Sequence, residues 1–181
     1  MGWLSRLFTG EDAEAKNARL RMAADRQDPR RTFVWGVLAV SYDLDPGYLP
    51  AHANEAVRQW YGVKSARQIV DWTAADFAAN GHVAYNQYRL CFLARAGHGA
   101  GLLDEATSWA LAIRHAAVVQ QHYRDWAEFG RGYLEGHLSY RGEQGDPPDQ
   151  LAKYRKNIGE RLAQTQRTVW VAVPWNTPMG G

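Results

Sequence analysis

The run from Asp104 to His122 constrains this chain more than any other segment. After Asp104, apolar residues fall at Ala106, Trp109, Ala110, Ile113, Ala116 and Ala117, and Gln120 completes the three/four spacing. That period lays one continuous apolar stripe along an α-helix. The aspartate just before it supplies an acceptor for the unpaired N–H groups of a helix start. Similar signals recur. Ser65 with Gln68 forms a capping box for a helix over 66–79. Asp125 opens one over 126–140, and His82 to Ala96 forms another. Leu151 to Gln166 carries Leu151, Tyr154, Ile158 and Leu162 on its stripe, after a polar loop over 141–150.

The remaining segments are read from this helical context. Thr9 caps a partly exposed helix over 11–27, which Pro29 ends. Thr32 to Ser41 is too short for periodicity to separate buried helix from strand, and its neighbours favour helix. Asp45-Pro46-Gly47 is a turn, Pro50 opens a helix through Tyr61, and Gly62 caps it. Ala56, Val57 and Trp60 share one side of that helix. Gly97, Gly99 and Gly101 form a flexible hinge. Thr168 to Pro178 alternates Val169, Val171 and Val173, which suits an extended strap or lone strand that frays through Met179. The expected fold is all-α: a single compact helical domain of about six to eight helices with an extended C-terminal strap. Within it, 1–30 is a helical extension, 51–140 the core and 168–181 the tail.

Composition narrows the function classes. With 181 residues, 46% hydrophobic and 22% charged, the chain is neither disordered nor fibrous. Its single cysteine, Cys91, excludes an internal disulfide and a multi-cysteine metal site. A net charge of +2 gives no footprint for nucleic acid. No apolar run reaches the length of a membrane span. Met1 to Phe8 is amphipathic but lacks a signal peptide's apolar core and cleavage site, and Arg6 breaks the myristoylation pattern. A cytoplasmic location is expected.

Few residues suggest chemistry. His82, Asn86 and Arg89 share one helix face at i, i+4 and i+7, a set able to hold an anion or polarise a carbonyl. The plainer alternative is a polar face paired with a neighbouring helix. Glu128 and Glu135, seven apart, suit a hydrolytic pair, or simply ion pairs with Arg124 and Arg131. The histidines are scattered, without a convergent zinc set, and Cys91 between Leu90 and Phe92 reads as a core thiol. No nucleophile elbow, P-loop or dinucleotide fingerprint is present. Gly130, Gly132 and Gly136 each cost a helix about 1 kcal/mol relative to alanine, so another helix or a ligand is expected to approach closely there. Among eight tryptophans, Trp170 and Trp175 are expected to be exposed, with arginines free to stack on them.

Three segments carry a family resemblance. Trp60-Tyr61-Gly62-Val63 with Ser65-Ala66-Arg67 is similar to a W-G-[IV]-x-[ST]-[RA] opening. Gly81-His82, Tyr85 to Arg89 and Gly97 to Asp104 are similar to its G-H, [WF]-D-x-x-R and G-[YL]-[IL]-[SD]-E segments. Tyr123 to Gly130, with Tyr133, Gly136 and Tyr140, is similar to F-x-S-W-x-[ED]-[FL] followed by spaced Tyr, Gly and aromatic positions. Together, over roughly 55–140, the chain resembles the domain-of-unknown-function 1266 family of bacterial proteins. Asn86 stands where that family usually has an acid, which counts against a general base or metal ligand there. The resemblance implies a mostly helical domain, no established reaction, and a role beside toxin or secretion systems.

The resulting expectation is a protein-binding module, of immunity or adaptor type, with a protein partner and without cofactor or metal. His82, Asn86, Arg89, Trp126, Arg131 and Glu135 would line its groove, with Trp170 and Trp175 on a second surface. The alternative is a hydrolase or toxin effector using His82 with Glu128 or Glu135.

Overall fold

The computed structural model describes residues 24–41, 53–74 and 82–180. Among them, six α-helices, a short π-helical segment and one 3-10 turn account for the regular structure, with no strand. The fold is all-α, and no helix among the described residues is long and apolar enough to cross a membrane. The expected turn at Asp45-Pro46-Gly47, the helix after Thr9 up to residue 23, and the end of the helix expected over 66–79 lie outside the described residues.

Helix α1 spans Pro29–Leu38. Pro29 begins this helix and does not merely end the previous one, because its missing N–H is one that the first turn leaves unpaired anyway. Asp28 caps it by accepting from the Arg30 N–H at 2.9 Å. Phe33, Val34, Val37 and Leu38 form its buried side. The π-helical segment Ala56–Trp60 buries Ala56 and Val57. Trp60 departs from the expected shared side: one face of its ring stacks on Phe92 with centroids 6.4 Å apart, and the residue stays 53% exposed. Gly62 follows with φ +65°, the left-handed cap expected there.

Helix α2, Ala66–Ala74, starts with the expected side-chain exchange. Ser65 Oγ accepts from the Gln68 N–H at 3.3 Å, and Gln68 Oε1 accepts from the Lys64 N–H at 2.7 Å, one residue further out than the standard box. Helix α3, Val83–Gly99, is buried on nearly every side. It runs through Gly97 and Gly99, so those glycines are not a hinge. A Cβ at Gly97 would sit 2.5 Å from Ile69 Cδ1 and 3.2 Å from Leu103 Cδ1. The chain turns instead at Gly101, φ +71°, where the Leu102 and Leu103 N–H groups both donate to the Gly97 carbonyl.

Helix α4, Glu105–His122, has the bounds its sequence predicts, with Asp104 accepting from the Thr107 N–H at 2.8 Å. Helix α5, Trp126–Glu143, begins with the same displaced box: Asp125 accepts from the Glu128 N–H, and Glu128 accepts from the Arg124 N–H, each at 2.7 Å. Helix α6, Pro148–Thr168, takes in part of the loop expected over 141–150, since Pro148 fits its first turn as Pro29 does in α1.

α3 is the central rod, packed on α2, α4 and α5, while α1 rests on α3 and α4, and α6 on α5. The α5 glycines make the α5 seams possible. A Cβ at Gly136 would lie 2.9 Å from Tyr85 Cβ and 3.2 Å from His82 Cβ, so helix meets helix there without a ligand. Gly132 makes room for the Tyr123 ring, whose hydroxyl accepts from the Ala84 N–H at 3.0 Å and caps α3.

The tail is a strap, but not a strand. After a 3-10 turn at Trp170–Ala172, its polar backbone is met by side chains. Trp126 donates its indole N–H to the Val173 carbonyl at 2.8 Å, and the Gln120 amide donates to the carbonyls of Trp175 and Thr177. Val173 and Met179 are buried, so the strap is anchored as far as Met179 and does not fray there.

Candidate functional site

The aromatic and polar residues of four elements converge on Arg89, which α3 holds half-buried. Its guanidinium carbon lies 5.0 Å from the Tyr140 ring centre, 5.4 Å from Tyr61, 5.6 Å from Tyr85 and 5.8 Å from Trp72. These are cation–π distances. Tyr85 and Arg89 are one helical turn apart on α3, Tyr140 arrives from α5, Trp72 from α2, and Tyr61 from the end of the π-helical segment. Tyr61 and Trp72 meet edge to face at 5.9 Å. Between Tyr61, Trp72, Asn86, Arg89 and Leu90 lies a pocket of about 10 Å³, room for about one water molecule.

The electrostatics favour a permanent cation. Burial opposes the Arg89 charge, but the charge interaction and hydrogen bond with Tyr61, with smaller help from Tyr85 and Tyr140, leave its pKa above the ordinary arginine value. Burial pushes the Tyr85 hydroxyl up to about 12, against the pull of the Arg89 charge. The neighbouring tyrosine is therefore neutral at physiological pH.

The three residues expected on one face of α3 behave differently. Asn86 and Arg89 line the pocket. His82, just before the first turn of α3, turns its Nε2 to Glu143 at 3.5 Å. Glu143 lies eight residues beyond Glu135 on α5, about 12 Å along the axis. Glu135 and Arg131 are exposed. Both Glu128 oxygens are taken by Arg124, at 3.1 and 3.3 Å, and this holds its carboxyl below the usual range. A carboxylate so paired is poorly placed as a proton donor.

The tryptophans expected at a groove and on a second surface lie inside. Trp126 stacks on Trp170 with centroids 5.4 Å apart and 8° between planes, and meets Trp175 edge-on at 4.8 Å. Trp170 is 5% exposed and donates to the Gly36 carbonyl at 2.9 Å, and Trp175 is partly buried. The physical reason is space: Gly36 and Gly130 have no Cβ to meet the Trp126 and Trp170 rings, at 2.6 Å and 3.0 Å respectively.

Sequence reasoning missed Tyr61, Trp72 and Tyr140 as walls of the Arg89 site, because only the meeting of four elements makes them neighbours. It also missed a second cluster. Asp25, buried, accepts from Arg31 and from the Trp35 indole, each at 3.2 Å. Arg31 and Arg95 lie over the Trp109 ring at 5.0 and 3.6 Å, and Arg95 donates to Ser108 at 2.8 Å. Burial lowers the Arg95 pKa to about 10. This network ties α1, α3 and α4 together. A wider hollow of about 460 Å³ opens between 27–30 and Pro178 and Gly180, where Asp28 and Arg30 pair with each other. Among the described residues no three His, Cys, Asp or Glu side chains gather as a metal would require. Cys91 is buried, and that burial raises its thiol pKa.

The geometry thus defines an all-α helical protein with an aromatic-walled arginine on its surface. The model of the family described as Protein of unknown function (DUF1266) matches residues 3–175, and the chain belongs to that family. The match extends well past the 55–140 stretch whose motifs first carry the resemblance. No curated protein and no solved structure matches the chain.

Proposed function

We propose that this chain is a protein-binding module whose contact surface is centred on Arg89. One observation carries the reading: Arg89, ringed by Tyr61, Trp72, Tyr85 and Tyr140, lies in the same aromatic cluster as an indole, Trp60, that is 53% exposed. Val70 of α2 is a further exposed apolar side chain. Tryptophan, tyrosine and arginine are the residue types that dominate binding energy at protein interfaces. The pocket, about 10 Å³, is far below the roughly 300 Å³ at which small-molecule sites begin. A broad contact suits it better than an enclosed substrate. An immunity-type or adaptor role in a bacterial toxin or secretion system is the finer form of the same proposal.

The test is co-purification from the native host with wild-type, Trp60→Ser and Arg131→Ala baits. A stoichiometric partner should be retained by wild type and Arg131→Ala and lost with Trp60→Ser. Retention by all three baits, or no stoichiometric partner with any, contradicts the proposal.

A further inference from the structure

The charge on Arg89 points to what the surface binds, and this inference rests on the binding-module reading. Among the described residues, Asp71 pairs with Arg67 and Asp146 with Arg141, and Glu143 lies 3.5 Å from His82. Among the described residues none forms an ion pair with Arg89, whose charge rests on ring faces and the Tyr61 hydroxyl. A half-buried arginine whose charge is met by ring faces is a strong acceptor of a carboxylate, because charge-assisted pairing gains strength where water is partly excluded.

We propose that Arg89 receives the carboxylate of an aspartate or glutamate side chain on the partner protein. One oxygen enters the pocket between Tyr61 and Trp72, and exposed Trp60 covers the apolar residue beside the acid. Pocket size and charge favour this occupant. A space of about 10 Å³ admits one oxygen atom. A phosphate carries nearly two charges and three acceptor oxygens, while Arg141, whose charge also reaches Tyr85, is already paired with Asp146.

The experiment is a titration of ¹⁵N-labelled protein followed through the indole N–H signals of Trp60 and Trp72. The probe is the capped peptide Ac-Gly-Leu-Glu-Leu-Gly-NH2. Its controls are the glutamine twin, an uncharged version with a free C-terminal carboxylate, and inorganic phosphate. The glutamate peptide should shift both indoles saturably and bind about tenfold or more tightly than its glutamine twin. The shift should weaken with salt and be lost in Arg89→Met. Equal binding of the twin, no shift with any peptide, stronger binding of the free C-terminus or phosphate, or full binding by Arg89→Met each overturns the acidic side-chain assignment. The wild-type comparison of the two peptides does not depend on whether the variant folds. A natural partner that needs Trp60 but tolerates Arg89→Met overturns the carboxylate proposal alone. Failure to find any Trp60-dependent partner overturns the binding-module reading beneath it.

Discussion

At Gly97 the space a side chain would need is already occupied. A methyl group there would meet Ile69 Cδ1 at 2.5 Å and Leu103 Cδ1 at 3.2 Å. Gly97→Ala should therefore destabilise the protein by about 1–3 kcal/mol, through overpacking of the α2–α3 seam. Gly159, inside α6, has nothing within 4 Å of its would-be Cβ. Gly159→Ala should stabilise by about 0.5–1 kcal/mol, because alanine loses less backbone entropy on entering a helix. Urea midpoints of the two variants, expected to move in opposite directions, check both statements. The sequence shows both residues only as glycines in helical surroundings. What separates them is a neighbouring helix, which no local pattern reports.

Elements were the most legible level. Asp104 and Asp125 mark the starts of α4 and α5, because a cap is a contact between residues two or three apart and survives any tertiary arrangement. Asp104→Ala removes the acceptor of both the Thr107 N–H and its hydroxyl, and should lower stability by about 1 kcal/mol with little change in helix content. A thermal melt with circular dichroism distinguishes this from loss of α4 altogether. Helix ends were harder to read. By sequence alone Pro29 and Pro148 read as signs of a stop or a loop, yet each lies in the first turn of a helix, where proline's missing donor costs nothing. The α3 helix passes through Gly97 because the Ile69 side chain of α2 needs the room.

Across the whole molecule, two histidines link stability to pH. His115 is 4% exposed, with Nδ1 2.8 Å from the Gln87 amide oxygen. His137 lies among the rings of Tyr85, Tyr133 and Tyr154, and neither of its ring nitrogens has a hydrogen-bond partner among the described residues. Burial lowers the pKa of each to about 4. The unfolded chain takes up protons near pH 6.5, which the folded state refuses until about pH 4. Their contribution is complete above pH 6.5 and is lost as pH falls toward 4, by up to about 3 kcal/mol at His115. Urea unfolding at pH 7.5, 6.0 and 4.5 should show a falling midpoint, and a flat profile would contradict neutral burial. The strap makes a second molecular prediction. Trp170 fills the space that Gly36 and Gly130 help to open against Trp126, so Trp170→Ala should cost about 3–5 kcal/mol. An equally large loss of Trp60-dependent binding without a loss of stability would argue for a surface role instead.

The order of residues alone determined the helical character, the caps of α4 and α5, and the shared helix face of Asn86 and Arg89. These rest on periodicity and short-range hydrogen bonds, which act within a few residues. Only the tertiary structure decided that Trp170 is interior, that Gly97 is a close approach, and that Arg89 is walled by Tyr61, Trp72, Tyr85 and Tyr140. The reason is physical. Burial and cation–π contact depend on distance in space, and most of these neighbours lie far apart along the chain, brought together only when α2, α3 and α5 close on one another.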